Sequence, residues 1–259
     1  MLALSRAPRD RSSTAGPHFT FHLGTNTLAE GFRRHNPPAF PTKGPDMTPH
    51  DASTRAAEIC RRAPVIPVLV IDDPAHARPL AEALVAGGLP VLEVTLRTPA
   101  ALEAIAEMAR VPGGIVGAGT LMGPADVAAA QAAGAVFGVS PGATDRLLDA
   151  CEGADLPLLP GAATASEVMA LYERGYFIQK FFPAEVAGGA KALKALGAPI
   201  PQVSFCPTGG VAPANARDYL ALENVICVGG SWVAPKAMME SGDWAGITAL
   251  AREAARLPA

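Results

Sequence analysis

Lys180 lies in Tyr176-Phe177-Ile178-Gln179-Lys180-Phe181-Phe182-Pro183, a strand-like apolar run that offers a flexible cation no packing reason to be there. Lysine is scarce, with five lysines against sixteen arginines, and the other four (Lys43, Lys191, Lys194, Lys236) lie in polar or helical-looking stretches. A lysine among aromatic and β-branched side chains is poorly solvated, which disfavours its charged form. The neutral amine can attack a ketone and form a Schiff base. The competing reading is a packed stem whose head reaches water or a carboxylate.

A carboxylate of the right kind stands in Val91-Leu92-Glu93-Val94-Thr95-Leu96-Arg97-Thr98. Alternation puts Glu93, Thr95 and Arg97 on one face and Leu92, Val94 and Leu96 on the other. The leucine face suits packing against helices, so Glu93 and Arg97 are expected to face inward. A purely structural Glu93-Arg97 pair is the alternative, since i and i+4 on a strand share a face. Hydroxyls recur where other apolar runs end, at Thr120, Thr208 and Ser231, beside glycines that let a ligand approach the backbone. Thr164 and Ser166 read instead as the start and cap of a helix.

Positioning these residues takes a regular scaffold. Short apolar strands are predicted at Val65–Ile71, Val91–Leu96, Ile115–Thr120, Val136–Ser140, Leu156–Leu159, Phe177–Phe182, Val203–Pro207 and Ile226–Gly229. Ala-rich helical stretches separate them, such as Ala75–Ala86, Pro99–Arg110, Ala125–Ala133 and Ala165–Glu173, and Trp244–Arg256 closes the chain. Such alternation with continuous apolar strands predicts a parallel sheet covered by helices. Eight units in about 210 residues fit a single-domain α/β chain, a (β/α)8 TIM barrel spanning 47–259. No Gly-x-Gly-x-x-Gly turn follows the first strand, as an open dinucleotide-binding sheet would require. Chemistry in such barrels collects at the carboxyl ends of the strands. Gly209-Gly210 and Gly229-Gly230 then stand where these barrels hold a phosphate on backbone N–H groups.

Composition narrows the classes further. A formal net charge of -3 gives no basic surface for nucleic acid or membrane, and no apolar run approaches spanning length. Cys60, Cys151, Cys206 and Cys227 are far apart with no C-x-x-C pair, which fits reduced thiols in a cytoplasmic protein. His18, His22, His35 and His50 precede the patterned region and His76 stands at a helix start, so no histidine-ligated metal is expected. Residues 1–46 are rich in Arg, Pro, Ser and His and lack a sustained period. They read as an extension, either disordered or upstream of a true start at Met47. An organelle transit peptide is the competing reading, weakened by Pro37, Pro38 and Pro41.

Seven segments carry a resemblance. They are Pro64-Val65-Ile66-Pro67-Val68-Leu69, Leu92 to Thr98, Val116-Gly117-Ala118-Gly119-Thr120, Ser140-Pro141-Gly142, Lys180-Phe181-Phe182-Pro183-Ala184-Glu185, Phe205-Cys206-Pro207-Thr208-Gly209-Gly210 and Val228-Gly229-Gly230-Ser231-Trp232. In order and spacing, over residues 60–256, they resemble the 2-keto-3-deoxy-6-phosphogluconate aldolases, also called 4-hydroxy-2-oxoglutarate aldolases. The resemblance implies a homotrimeric barrel that needs no metal and no cofactor beyond a covalent intermediate on Lys180. It makes Lys180 the Schiff-base residue and Glu93 the general acid/base. Arg97 and Thr120 would serve the keto-acid end of a phosphorylated substrate, and Pro141 and Phe182 the pocket wall. Thr208, Gly209, Gly210 and Ser231 would bind the distal and phosphate end, beside Gly230. A sister group acting on the galactonate-derived isomer usually lacks the Arg97-Thr98 ending, which favours the gluconate-type enzyme. A phosphate-sugar isomerase barrel, with a Lys180 that never becomes covalent, and a silent binding module are the readings from other classes.

Overall fold

A computed structural model describes residues 47–258; the expected extension, 1–46, lies outside the described residues. Among the described residues the first element is helix α1 (Pro49–Cys60). Thr48 caps it in a reciprocal capping box with Asp51, and Pro49 enters at the first turn, where no N–H is needed. Met47 is buried, and its N–H donates to Asp155 Oδ1 at 3.0 Å.

Strands and helices then alternate. They run β1 (Val65–Leu69), α2 (Ala77–Ala86), β2 (Val91–Thr95), α3 (Ala101–Met108), β3 (Ile115–Gly119), α4 (Pro124–Ala132), β4 (Phe137–Val139) and α5 (Asp145–Gly153). The second half runs β5 (Leu158–Leu159), β6 (Gly161–Ala162), α6 (Ala165–Arg174), β7 (Ile178–Phe181), α7 (Gly189–Gly197), β8 (Ser204–Pro207), α8 (Ala216–Leu220) and β9 (Val228–Gly230). Helices α9 (Lys236–Ser241) and α10 (Trp244–Ala254) finish the chain. Thr164 caps α6 through a capping box with Glu167, as its type and position predict, and His76 sits in a short 3-10 turn that opens α2. Helix α9 was not legible in the pattern, because six residues barely exceed one helical turn.

All strand pairs are parallel, but the hydrogen-bonded sheet is not the closed eight-stranded ring expected. A curled six-stranded sheet has the order β5-β4-β3-β2-β1-β9, and a second sheet has the order β6-β7-β8. The fifth predicted strand, Leu156–Leu159, keeps only Leu158–Leu159 in the sheet, and the unpredicted β6 follows it across Pro160, which has no N–H to donate. Its carbonyl instead accepts from Lys180 N at 2.8 Å, so β5 pairs with β4 while β6 turns to β7. At the other edge, Phe205–Val225 and Thr208–Gly229 meet only as isolated parallel bridges.

The strands divide their side chains between two cores. Outward residues such as Leu92, Val94, Val116, Ala118, Phe181 and Phe205 pack with the helices. Inward residues Ile66, Val91, Phe137, Val139, Leu159, Ile178, Cys206 and Cys227 form a separate cluster, plugged by Ala56, Ala57 and Cys60 of α1. That cluster takes Val91 and Ile178 from strand starts, but also Val139 and Leu159 from the ends of β4 and β5. Two residues further along the same face, Val91 gives way to Glu93, Ile178 to Lys180 and Cys206 to Thr208. On β2 and β7, and at the end of β8, the inner face thus turns from apolar to polar within two residues.

Candidate active site

Glu93 and Lys180 meet on this inner face. Lys180 Nζ donates to Glu93 Oε1 at 3.2 Å, and the two side chains are 6% and 4% exposed. Both readings of the lysine are thus partly met, since its head does reach a carboxylate, but one equally cut off from water. Removing either partner would leave an uncompensated buried charge, so the pair is fixed by mutual need. The Phe182 ring lies 5.2 Å from Nζ, and its π-face offers the ammonium a second contact.

Glycines on β3 make the room. A Cβ on Gly119 would fall 2.3 Å from Glu93 Oε1 and 2.8 Å from its Cγ, and one on Gly117 would enter the Phe137 ring. The sequence suggested that strand-end glycines let a ligand approach the backbone. For Gly119 and Gly229 the space is taken by the protein itself, by Glu93 and by Thr208, whose Oγ1 would lie 2.3 Å from a Gly229 Cβ. Gly161 plays the same part for backbone, because a Cβ there would strike the Pro141 carbonyl.

Arg97 departs from expectation. Strand β2 ends at Thr95, so Arg97 stands exposed on the turn beyond it rather than on the inner strand face. The structural Glu93-Arg97 pair is not what Glu93 makes; its ion pair is with Lys180. Arg97 Nε donates to Thr95 Oγ1 at 3.1 Å, and Thr95 Oγ1 donates to Leu69 O at 2.8 Å, tying the turn to β1. Thr95 as this bridge went unrecognised in the sequence; its only signal was a hydroxyl on the Glu93 face.

Thr120 takes φ 64, a left-handed conformation that a β-branched residue adopts only under constraint from its surroundings. Ser140, at the end of β4 before Pro141, is fully buried with its Oγ unpartnered. On the opposite side, Gly209 and Gly210 have φ +100 and +80 and need glycine for that reason. The Phe182 ring approaches to 3.3 Å of where a Gly209 Cβ would be, which joins this turn to the lysine's strand end. Gly230 is covered by the Trp232 ring, and Ser231 is exposed beside it. The amine–carboxylate pair joins β7 to β2, whereas the Gly209-Gly210 turn follows β8 and Gly229-Gly230 ends β9.

Cys206, opposite Lys180 in the β7–β8 register, and Cys60 both adjoin the Cys227 thiol. Hydrogen bonding of its S–H toward Cys206 and Cys60, together with burial, holds the Cys227 thiol well above its ordinary value, so it stays protonated and is no rival nucleophile. Among the described residues, no group of three or more His, Cys, Asp or Glu is arranged to hold a metal ion.

Comparison with known proteins agrees with this construction. The family model for KDPG and KHG aldolases matches residues 56–250. The KHG/KDPG aldolase of Escherichia coli K12 is 53% identical over 202 residues, covering 78% of this chain and 95% of its own. The 2-keto-3-deoxy-6-phosphogluconate aldolase of Zymomonas mobilis ZM4, solved with 3-phosphoglycerate, is 51% identical with a TM-score of 0.76, covering 79% of this chain and 97% of its own. The Legionella pneumophila KDPG aldolase, with pyruvate captured at low pH as a covalent carbinolamine intermediate, is 46% identical with a TM-score of 0.75, covering 77% and 97%. A buried amine on a carboxylate, set at the carboxyl ends of parallel strands, and these matches along most of the chain lead to one assignment: the chain belongs to the KDPG and KHG aldolase family.

Proposed function

We propose that this enzyme cleaves 2-keto-3-deoxy-6-phosphogluconate to pyruvate and glyceraldehyde 3-phosphate, with Lys180 as the Schiff-base residue and Glu93 as the general acid/base. The observation that carries the residue assignment is the buried Lys180 Nζ, 3.2 Å from Glu93 Oε1. Glu93 is the acceptor to which the ammonium can release its proton, and the freed amine attacks the C2 ketone. In the carbinolamine so formed, Glu93 returns that proton to the C2 hydroxyl, which leaves as water and gives an iminium that serves as an electron sink. Glu93 takes the proton from the C4 hydroxyl, the C3–C4 bond breaks, and its electron pair enters the iminium to leave an enamine. Glyceraldehyde 3-phosphate departs, Glu93 returns the proton to C3, and water releases pyruvate from Lys180. One carboxyl thus acts in both directions, which requires it within reach of C3 and C4 in turn.

Arg97, on its turn, is suited to grip the keto-acid carboxylate as a planar fork, with Thr120 beside it. Pro141 and Phe182 wall the pocket. Thr208, the Gly209-Gly210 turn, Gly230 and Ser231 take the phosphate through backbone N–H groups and hydroxyls. Cleavage of 4-hydroxy-2-oxoglutarate is the second reading, favoured by the double name of the Escherichia coli relative. That substrate shares the keto-acid end and lacks the phosphate.

Two structural readings accompany this function. The inner apolar cluster draws on seven of the eight strand positions, with Ile115 of β3 packed against it, which supports a (β/α)8 barrel that closes through side-chain packing across the gaps in its hydrogen bonding. The capped α1 and buried Met47 support a catalytic domain that starts at Met47, with 1–46 as an extension. A homotrimer follows from the family resemblance, and light scattering would read it directly. A cytoplasmic location is supported by four free cysteines, and among the described residues no helix is long and apolar enough to cross a membrane.

The test is to incubate the protein with pyruvate, add borohydride and map the mass change. A pyruvate-sized adduct on Lys180, absent in Lys180→Ala, is expected. An adduct on another lysine, or none, would remove the assignment and leave the isomerase reading in its place.

A further inference from the structure

The Gly209-Gly210 turn is held from outside by a side chain that the mechanism does not use. Glu185 lies just past β7, and its stem runs against the open side of Gly210, where a Cβ would fall 2.6 Å from Glu185 Cγ and 2.7 Å from Glu185 Cβ. The backbone is tied at the same place. Ala184 N donates to Thr208 O at 2.8 Å and Glu185 N donates to Gly209 O at 3.0 Å. The carboxylate is in turn gripped by the Tyr219 hydroxyl, which donates to Glu185 Oε1. Tyr219 is fully buried in α8, so its ring cannot follow the carboxylate into solvent. On the far side of the turn, Asn215 Nδ2 donates to Gly210 O at 3.1 Å and its Oδ1 accepts from Ala212 N at 2.8 Å.

We infer that Glu185, anchored by Tyr219, is a positioning residue for the phosphate end of the site, setting the Gly209-Gly210 backbone so that its N–H groups converge on the anion. This rests on the proposed reading of that turn as the phosphate cradle. Gly209 and Gly210 both occupy left-handed conformations, which glycine tolerates but does not enforce. Without an outside contact the turn would sample other states, and a preorganised anion site would become one assembled on binding. Glu185 supplies that contact with its methylenes, and Tyr219 fixes where the methylenes lie. The charge of Glu185 does no binding. It serves as an acceptor for Tyr219, a role that an amide oxygen fills as well.

The decisive experiment compares two substrates that differ at this end. Steady-state kinetics would be run on 2-keto-3-deoxy-6-phosphogluconate and on unphosphorylated 4-hydroxy-2-oxoglutarate, for the wild type, Glu185→Ala, Glu185→Gln and Tyr219→Phe. Glu185→Ala is expected to raise KM for the phosphorylated substrate about tenfold, the scale of one hydrogen bond to a charged group, with kcat within about twofold. Kinetics on the unphosphorylated substrate should stay as in the wild type. Tyr219→Phe should follow in the same direction, and Glu185→Gln should restore the wild-type KM because it keeps both stem and acceptor. Equal losses on both substrates, or no change on either, would overturn the inference. Pyruvate trapping on Lys180, run alongside, separates the two levels. A wild type that traps pyruvate while the variants fail to discriminate sinks only the role of Glu185, whereas a wild type that traps none sinks the aldolase reading and this inference with it.

Discussion

Replacing Gly119 by alanine should cripple catalysis while leaving the fold in place, because the added methyl competes with Glu93 and with little else. Gly119 is not among the glycines with left-handed φ, so its backbone suits alanine. By the unfolded-state argument alone, a compatible Gly→Ala change stabilises by about 0.4–1 kcal/mol. The methyl carbon, however, would sit 2.3 Å from Glu93 Oε1, 2.8 Å from Cγ and 2.9 Å from Cδ. Ordinary carbon contacts are about 3.5–4 Å, so the carboxyl must retreat by roughly 1 Å. Its Oε1 is the atom that accepts from Lys180, and β2 hydrogen-bonded to β3 leaves the Glu93 backbone no room to absorb the shift. A displacement of about 1 Å at a group that moves protons costs about 10²-fold in rate. The assay is kcat for cleavage, followed as pyruvate release, with borohydride trapping and thermal denaturation in parallel. Pyruvate should still be trapped on Lys180, though more slowly, and the melting transition should remain cooperative. Combining Gly119→Ala with Glu93→Asp, which shortens the intruding side chain, should cost less than the sum of the two single changes. Wild-type kcat and KM in Gly119→Ala would refute the reasoning, since Glu93 would then not need to stand where it does.

Other changes test other levels. Arg97→Lys keeps the charge but loses the planar fork, so KM for the keto acid should rise with kcat little changed, and an unaltered KM would count against its proposed role. Thr164→Ala removes the α6 capping box and should cost about 1 kcal/mol of stability by denaturant titration. The Glu167 carboxyl is held below its ordinary value of 4.5, first by the Ala163 N–H, against a smaller opposing effect of burial, and then by Thr164. The unfolded state therefore binds the proton more readily, so the stabilisation is present above pH 4.5 and is lost as pH falls through the lower folded value. Glu167 is exposed and solvent screens the effect. Denaturant midpoints of the wild type should thus fall more steeply below pH 4.5 than those of Glu167→Gln, and identical acid profiles would remove this account of the cap.

Much of this was legible along the chain because it depends on short-range periodicity. The alternation of apolar strands with Ala-rich helices was enough to predict parallel strands under a helical layer. Period-two reading of Val91 to Thr95 was enough to turn Glu93 away from the helices, and the scarcity of lysine made Lys180 conspicuous. It failed at Arg97, because the strand stops at Thr95 and period two stops with it. It also missed β6 beyond Pro160, because Gly161 and Ala162 are too few to carry a period of their own. The glycines show the limit most plainly. Gly119, Gly161 and Gly229 are alike in sequence, yet one makes room for a carboxylate, one for a backbone carbonyl and one for a hydroxyl. Within a strand, which side chains share the face of Glu93 is readable along the chain, since that follows from pleating. That Glu93 and Lys180, 87 residues apart, share a hydrogen bond, and that Glu185 lies against Gly210, emerges only in the folded molecule. Those contacts depend on how the strands curl toward one another, and no local period records it.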